Sequence, residues 1–353
     1  MSTPEPALQV VALTRTFRVF ERRRGLVGGL RDLLHRDYRE LRAVDAISFR
    51  VAAGEMVGLI GPNGAGKSTT IKMLTGILVP TSGEILAGGR VPHRDRIAHV
   101  KRIGAVFGQR TQLWWDLAVI ESFTLLGKIY GVPAAALADR IDRLDAILDI
   151  GALLRTPVRK LSLGQRMRCD LAASLLHAPG LLFLDEPTIG LDIVAKDGVR
   201  AFLRDINRQF ATTAIITTHD LRDIEELCPR ILILDRGRLL YDGPLDRIKA
   251  AHAGRTRLMV DLLAAAPLAA LQAIGGAAVT WEQVGPVRYR ATFDRRVTRP
   301  AELARALLNR FAVSDLQIPE PSIESVIRRI YAEGAVPPPE PAGAAPPPEG
   351  GRR

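Results

Sequence analysis

Two periods of hydrophobic and polar residues alternate along this chain, and together they predict most of its elements. Residues 56–60, 103–107, 181–184, 214–217 and 231–234 are short, nearly continuous apolar runs, the pattern of strands buried on both faces. Residues 8–20 read as one strand region through Val10, Val11, Leu13, Phe17, Val19 and Phe20, and 44–51 alternate through Ile47, Phe49 and Val51. A turn at 80–83 leads to a short strand at 84–87. The turn Asp235-Arg236-Gly237 folds 238–241 back on 231–234 as a hairpin. Helical spacing appears at 69–78 (Ile71, Met73, Leu74, Leu78). It dominates 113–178, which holds a helix at 134–148 with Pro133 in its first turn. Residues 25–41 predict an amphipathic helix with Leu26, Leu30, Leu33, Leu34 and Leu41 near one face. Such a helix either packs on its own domain or touches a membrane surface or a partner. Strands alternating with helices indicate an α/β core into which an all-helical interval is inserted. From 255 to 334 the order changes to β-α-β-β-α-β, the order of a small ferredoxin-like split-βαβ domain, an α+β accessory unit. Residues 335–353, rich in proline, glycine and alanine, are expected to be a disordered tail.

Composition narrows the class. The chain has 353 residues, 47% hydrophobic and 25% charged, which suits two or three globular domains. Cys169 and Cys228 provide no disulfide framework and are expected as buried small residues in a reducing cytosol. Met1 to Pro6 is polar, so no signal peptide is expected. The weakly polar run 262–279 is alanine-rich and broken by Pro267, Gln272, Gly275 and Gly276, and is rejected as a membrane span. The formal net charge of +11 suits nucleic acid, anionic lipid or nucleotide phosphates without choosing among them.

The candidate chemistry begins at Gly61-Pro62-Asn63-Gly64-Ala65-Gly66-Lys67-Ser68-Thr69, which matches G-x-x-x-x-G-K-[ST]. It follows an apolar strand and opens a helix. The glycines let backbone N–H groups turn toward phosphate oxygens, and the helix N-terminus adds positive potential. Lys67 reaches for the β- and γ-phosphates, and Ser68 offers a hydroxyl to Mg²⁺. At 181–187 an apolar run ends in Asp185, Glu186 and Pro187. This run is expected beside the P-loop strand, with Asp185 holding Mg²⁺ or its waters and Glu186 placed to take a proton from water. Ser162, Gly164 and Gln165 open another helix, where serine can cap and glycine admits a phosphate. His219 ends the run 214–217 and Gln109 ends the run 103–107; each is weak alone.

In combination, the P-loop, Gln109, Ser162-Leu163-Gly164-Gln165, Asp185-Glu186, Gly190-Leu191-Asp192 and His219 resemble the nucleotide-binding domain of ABC transporters, over residues 8–243. The stretches 58–69 and 184–192, with 320–326, are similar to the ATPases of ABC-2 type drug and polysaccharide exporters. The resemblance implies a P-loop NTPase fold of ABC type over 1–245. That fold has a RecA-like core, an antiparallel β subdomain and an inserted helical subdomain at about 110–178. It implies ATP and Mg²⁺ as ligands and a homodimer closing head to tail around two ATP. Ser162, Gly164 and Gln165 then meet the γ-phosphate held by the other subunit, and Asp192 signals across the dimer. Gln109 touches Mg²⁺ and the attacking water, Glu186 is the general base and His219 holds the γ-phosphate. An aromatic ahead of the P-loop stacks on adenine: Phe17 matches best and Phe20 second, and both are also core candidates.

Further implications are a separate multi-span ABC-2 type permease, a peripheral location on the cytoplasmic face of the cell membrane and no direct contact with cargo. The exposed-looking Trp114 and Trp115 are a candidate permease contact or a local core cluster. Two departures stand: Leu163 replaces a usual glycine, and the insertion 21–42 is longer than usual. The rival reading is a soluble ATPase of the same family acting on nucleic acid or ribosomes. The single P-loop and the lack of a fused second half weigh against it, so no nucleic-acid partner is expected.

Overall fold

A computed structural model describes residues 6–20, 38–108, 110–252, 255–294, 297–318, 327 and 330. Three sheets organise them. The first is antiparallel, with β1 (Leu8–Phe20) between β2 (Tyr38–Val51) and β4 (Ser82–Ala87). The second contains β3 (Met56–Ile60), β5 (Ile103–Phe107), β6 (Leu181–Asp185), β7 (Thr213–Thr217), β8 (Arg230–Asp235) and β9 (Arg238–Pro244) in the order β5-β6-β7-β3-β8-β9. All its pairs are parallel except the β8–β9 hairpin. Every residue of β3 and β7 is buried, as parallel strands covered on both faces must be.

Two corrections follow. Strand β6 does not lie beside β3: β7 separates them. Apolar runs reveal strands, but lateral order depends on how the connecting helices cross the sheet. Residues 38–41 extend β2 instead of ending a helix; Tyr38 pairs with Phe20 and Leu41 with Phe17. Antiparallel ladder bonds to a strand already in place outweigh leucine spacing there. The rest of the expected helix lies outside the described residues, as do residues 335–353.

Helix α1 (Lys67–Leu74) follows the P-loop, and α2 (Arg96–Val100) precedes β5. The inserted region carries α3 (Val119–Tyr130), α4 (Ala134–Leu148) and α5 (Leu163–Leu175). Leu137, Ile141, Leu144 and Leu148 form the buried face of α4, and Pro133 caps that helix from outside its first turn. Helix α6 (Ile193–Phe210) connects β6 to β7, and α7 (Leu221–Leu227) connects β7 to β8. Cys169 and Cys228 are buried and unpaired. Desolvation pushes the Cys169 thiol up to about 12 and raises that of Cys228 as well.

After α8 (Leu245–His252) come β10 (Arg255–Leu262), α9 (Leu268–Gln272), β11 (Val279–Gln283), β12 (Arg288–Asp294), α10 (Pro300–Arg310) and β13 (Val313–Gln317). Their sheet order is β11-β12-β10-β13, antiparallel throughout, which is the order of a split βαβ unit. Leu258, Val260, Trp281, Tyr289, Phe293 and Leu307 belong to its separate core. Of the expected helix at 323–331, only Ile327 and Ile330 are described; both are buried in the main core of the preceding region.

Candidate functional site

The chemistry gathers at the carboxyl ends of β3, β6 and β7. Gly66 takes φ 105°, a left-handed conformation that a side chain resists, and a Cβ there would meet the Ala43 carbonyl oxygen at 2.5 Å. Helix α1 starts on this glycine with no side-chain cap and no acid in its first turn, so its N–H groups remain open to an anion. At Gly64, also left-handed, a Cβ would meet nothing within 4 Å: the loop is open on that side. Lys67 is 7% exposed, and its ammonium donates to the carbonyls of Gly61 at 2.7 Å and Pro62 at 3.2 Å. Burial lowers its pKa, while the charges of Glu186 and Asp185 raise it.

Helix α1 carries Ser68 across to β6, where its hydroxyl donates to Asp185 Oδ1 at 3.3 Å. The same oxygen accepts the Thr217 hydroxyl at 2.5 Å. Thr217 also accepts the Glu186 N–H, at 2.9 Å on its carbonyl and 3.1 Å on its hydroxyl. Glu186 has φ 57°, rare for a residue with a side chain and costing about 1–3 kcal/mol, so its surroundings must hold it there. Glu186 Oε2 lies 3.5 Å from Nδ1 of His219, whose side chain is 60% exposed. Ser68, Phe107, Gly108, Arg110, Asp185, Glu186 and Ile189 line one cleft. Gln109 lies outside the described residues; beside it, the Gly108 N–H donates to the Asp185 carbonyl at 2.7 Å.

The other candidates lie elsewhere. Ser162 and Gln165 form a reciprocal cap at the start of α5, at 3.2 and 2.9 Å. A Cβ on Gly164 would stand 3.2 Å from Ala195 Cβ, so this turn lies against the start of α6. Asp192 caps α6 by accepting the Ala195 N–H at 2.8 Å. Phe17 sits in β1 with the Arg15 guanidinium 4.7 Å from its ring centre, so that face is already in a cation–π contact. Trp114 and Trp115 are 40% and 50% exposed, and the Arg166 guanidinium lies over Trp115 at 5.4 Å.

A hydroxyl and a carboxylate within hydrogen-bonding reach form a hard oxygen set, which fits Mg²⁺ bound jointly with phosphate oxygens. Among the described residues no cluster of three or more His, Cys, Asp or Glu side chains could hold a metal ion alone. Sequence reasoning missed the bridging role of Thr217, and also Asp170, which accepts the Thr111 hydroxyl at 2.8 Å and the Gln112 N–H at 3.0 Å. Asp170 thereby ties the chain after Gln109 to α5. Its one signal is a carboxylate directly before the apolar run Leu171-Ala172-Ala173.

A family model described as ABC transporter matches residues 44–189. The linearmycin resistance ATP-binding protein LnrL of Bacillus subtilis is 30% identical over 291 residues, 81% of this chain and 93% of that protein. The chain belongs to the ABC transporter family. The Ser68–Asp185 pair beside the P-loop fits the binding of a nucleoside triphosphate with Mg²⁺. Another relative, "Probable multidrug ABC transporter ATP-binding protein YbhF" of Escherichia coli, is 36% identical over 222 residues, 62% of this chain, and the match spans 38% of that protein's length. Among solved structures, an ATP-binding subunit of an ABC transporter covers 69% of this ABC chain and 92% of its own, with 28% identity and a TM-score of 0.57. No described helix is long and apolar enough to cross a membrane.

Proposed function

We propose that this chain is the ATP-hydrolysing subunit of an ABC-2 type exporter, acting as a head-to-tail homodimer on a separate multi-span permease at the cytoplasmic face of the cell membrane. The reading is carried by the geometry at the ends of three neighbouring strands: Ser68, Asp185 and Glu186 line one cleft, His219 lies 3.5 Å from Glu186, and the charges of Asp185 and Glu186 act on the Lys67 ammonium. Residues 61–69 wrap the phosphates, and Lys67 leaves its two loop carbonyls to meet the β- and γ-phosphates. Ser68 and Asp185 would hold Mg²⁺, with Gln109 as the further candidate ligand, and the ion would supply neutralisation of charge on the phosphate oxygens. Glu186 takes the proton of the attacking water, and His219 holds the γ-phosphate. Ser162, Gly164, Gln165 and Asp192 serve the partner's nucleotide, and Phe17 is the aromatic offered to adenine. Closure follows from ATP preferring the dimerised state, and hydrolysis releases it.

Residues up to about 245 form the nucleotide-binding unit, and 255–334 an accessory unit. Exposed Trp114 and Trp115, near the Gln109 segment, are suited as anchors for the permease. Relatives named for multidrug transport and linearmycin resistance support export. The test is a pull-down from detergent-solubilised membranes with this chain as bait, coupled to an ATPase assay. A multi-span membrane protein is expected in stoichiometric amount. Ribosomes, nucleic acid or soluble partners alone would overturn the transporter reading.

A further inference from the structure

Beneath the cleft, the loops that carry Glu186 and His219 meet on one buried carboxylate. Thr188 lies two residues beyond Glu186, and Thr218 immediately precedes His219. Asp223, on α7, is 1% exposed. Its Oδ2 accepts the Thr188 hydroxyl at 2.5 Å and the Thr218 hydroxyl at 3.0 Å. Its Oδ1 accepts from the Arg200 guanidinium at 3.3 Å. Arg200 is 2% exposed and sits on α6, the helix capped by Asp192. One turn earlier on α6, Lys196 binds Asp220 at 2.7 Å. Helix α6 thus offers two cations at i, i+4 spacing to two carboxylates of the segment that follows His219.

A carboxylate hidden from water is costly unless hydrogen bonds and a counter-charge meet it. Burial pushes the Asp223 carboxyl up, the Thr188 hydroxyl pulls it down, Asp220 adds to the rise, and Thr218 and Arg200 add to the pull. A purely packing role would be filled more cheaply by an apolar residue. The strained backbone of Glu186 needs anchors on both sides. Thr217 holds its N–H, and the Thr188–Asp223 bond pins the chain just beyond it.

We infer that Asp223 is a positioning residue that locks the Glu186 loop to the His219 loop through the Thr188 and Thr218 hydroxyls, and both loops to α6 through Arg200. The inference rests on the roles proposed above for Glu186 and His219. The bonds of the P-loop lysine do not run through Asp223, so nucleotide binding survives when this lock is cut while turnover falls.

The test compares Thr188→Val, which removes the hydroxyl at nearly constant shape, with Thr188→Ser, which keeps it, in the full chain. ATP turnover, KM, affinity for a fluorescent ATP analogue and thermal midpoint are measured together. Thr188→Val should lose about tenfold to a hundredfold in kcat, the scale of a small misplacement of reacting groups, with analogue affinity nearly unchanged. Thr188→Ser should restore most of the rate. Thr218→Val reports the same lock from the other loop should Thr188→Val fold poorly. Wild-type kcat in a folded Thr188→Val protein overturns the inference, as does a loss that Thr188→Ser leaves in place. A wild-type chain that binds the analogue without hydrolysing ATP overturns the proposed function and this inference with it; active wild type beside equally active Thr188→Val overturns the inference alone.

Discussion

The six-stranded sheet and the four-stranded sheet solve the same burial problem in opposite ways. In the first, β3 and β7 are buried at every position and β6 at all but its last, Asp185. Such strands have no place for polar groups along their length, so the chemistry collects at their ends, in Lys67, Asp185, Glu186 and His219. In the second sheet burial alternates along β12, and the open face carries charges that pair across strands. Arg288 holds Asp261 at 2.6 and 2.7 Å, and Arg290 approaches Glu282 at 3.4 Å. Those charges are consumed in holding register. The first sheet is therefore expected to respond to polar substitutions in turnover, and the second in stability.

The largest effect expected from this contrast is at Glu186. Glu186→Gln removes the base with almost no change of shape. It should keep ATP binding and lose about 10²–10⁴-fold in turnover, the usual share of a general base. Single-turnover ATP hydrolysis beside nucleotide titration checks both halves. Hydrolysis at the wild-type rate would remove Glu186 from the mechanism and with it the claim that strand ends carry the chemistry.

The same contrast explains what was legible in the sequence. The P-loop and the Asp185-Glu186 pair are each contiguous, set at the end of an apolar run, and their types state their chemistry. The alternating strands of the second sheet are equally local, and their order along the chain suffices to suggest a split βαβ unit. Lateral relations are not local. Nothing in residues 213–217 announces that β7 lies between β3 and β6, or that Thr217 bridges Asp185 and Glu186. Residues 38–41 carry a leucine at helical spacing, and only their pairing with residues 17–20 makes them strand. Asp223 is one acid among several on α7 until Thr188, Thr218 and Arg200 are seen to meet on it.

Like Arg200 and Asp223, Asp170 is a charge buried on a helix and not set at a strand end, and it offers a second, smaller test. It is 4% exposed on α5, and desolvation raises its pKa from 3.8 to about 6 against the pull of Gln112 and Thr111. Between those two values the folded chain keeps a proton that the unfolded chain has released. The contribution to stability is therefore full below pH 3.8 and is lost as pH rises through about 6. The interval corresponds to about 3 kcal/mol. The thermal midpoint of the wild type should fall more steeply between about pH 4 and pH 6 than that of Asp170→Asn, which has no such proton to lose. Parallel profiles would mean that Asp170 is ionised throughout, held by the Thr111 and Gln112 bonds alone.

The smallest effect belongs to the second sheet. Tyr289 is fully buried on β12, and its hydroxyl donates to the Ala266 carbonyl at 2.7 Å while accepting the Ala266 N–H at 3.0 Å. Both backbone groups lie in the connection ahead of α9. Tyr289→Phe keeps the ring in the core and leaves both groups without that partner, at a cost of about 1–2 kcal/mol. Denaturant unfolding should register the loss, while ATP turnover per folded molecule stays within about twofold, because the bonds of the Tyr289 hydroxyl stay within its own unit, at Ala266. A larger drop in turnover would mean that the second sheet biases the catalytic loops. Ile327 and Ile330, which follow β13 and are buried in the main core, are the first link to examine in that case.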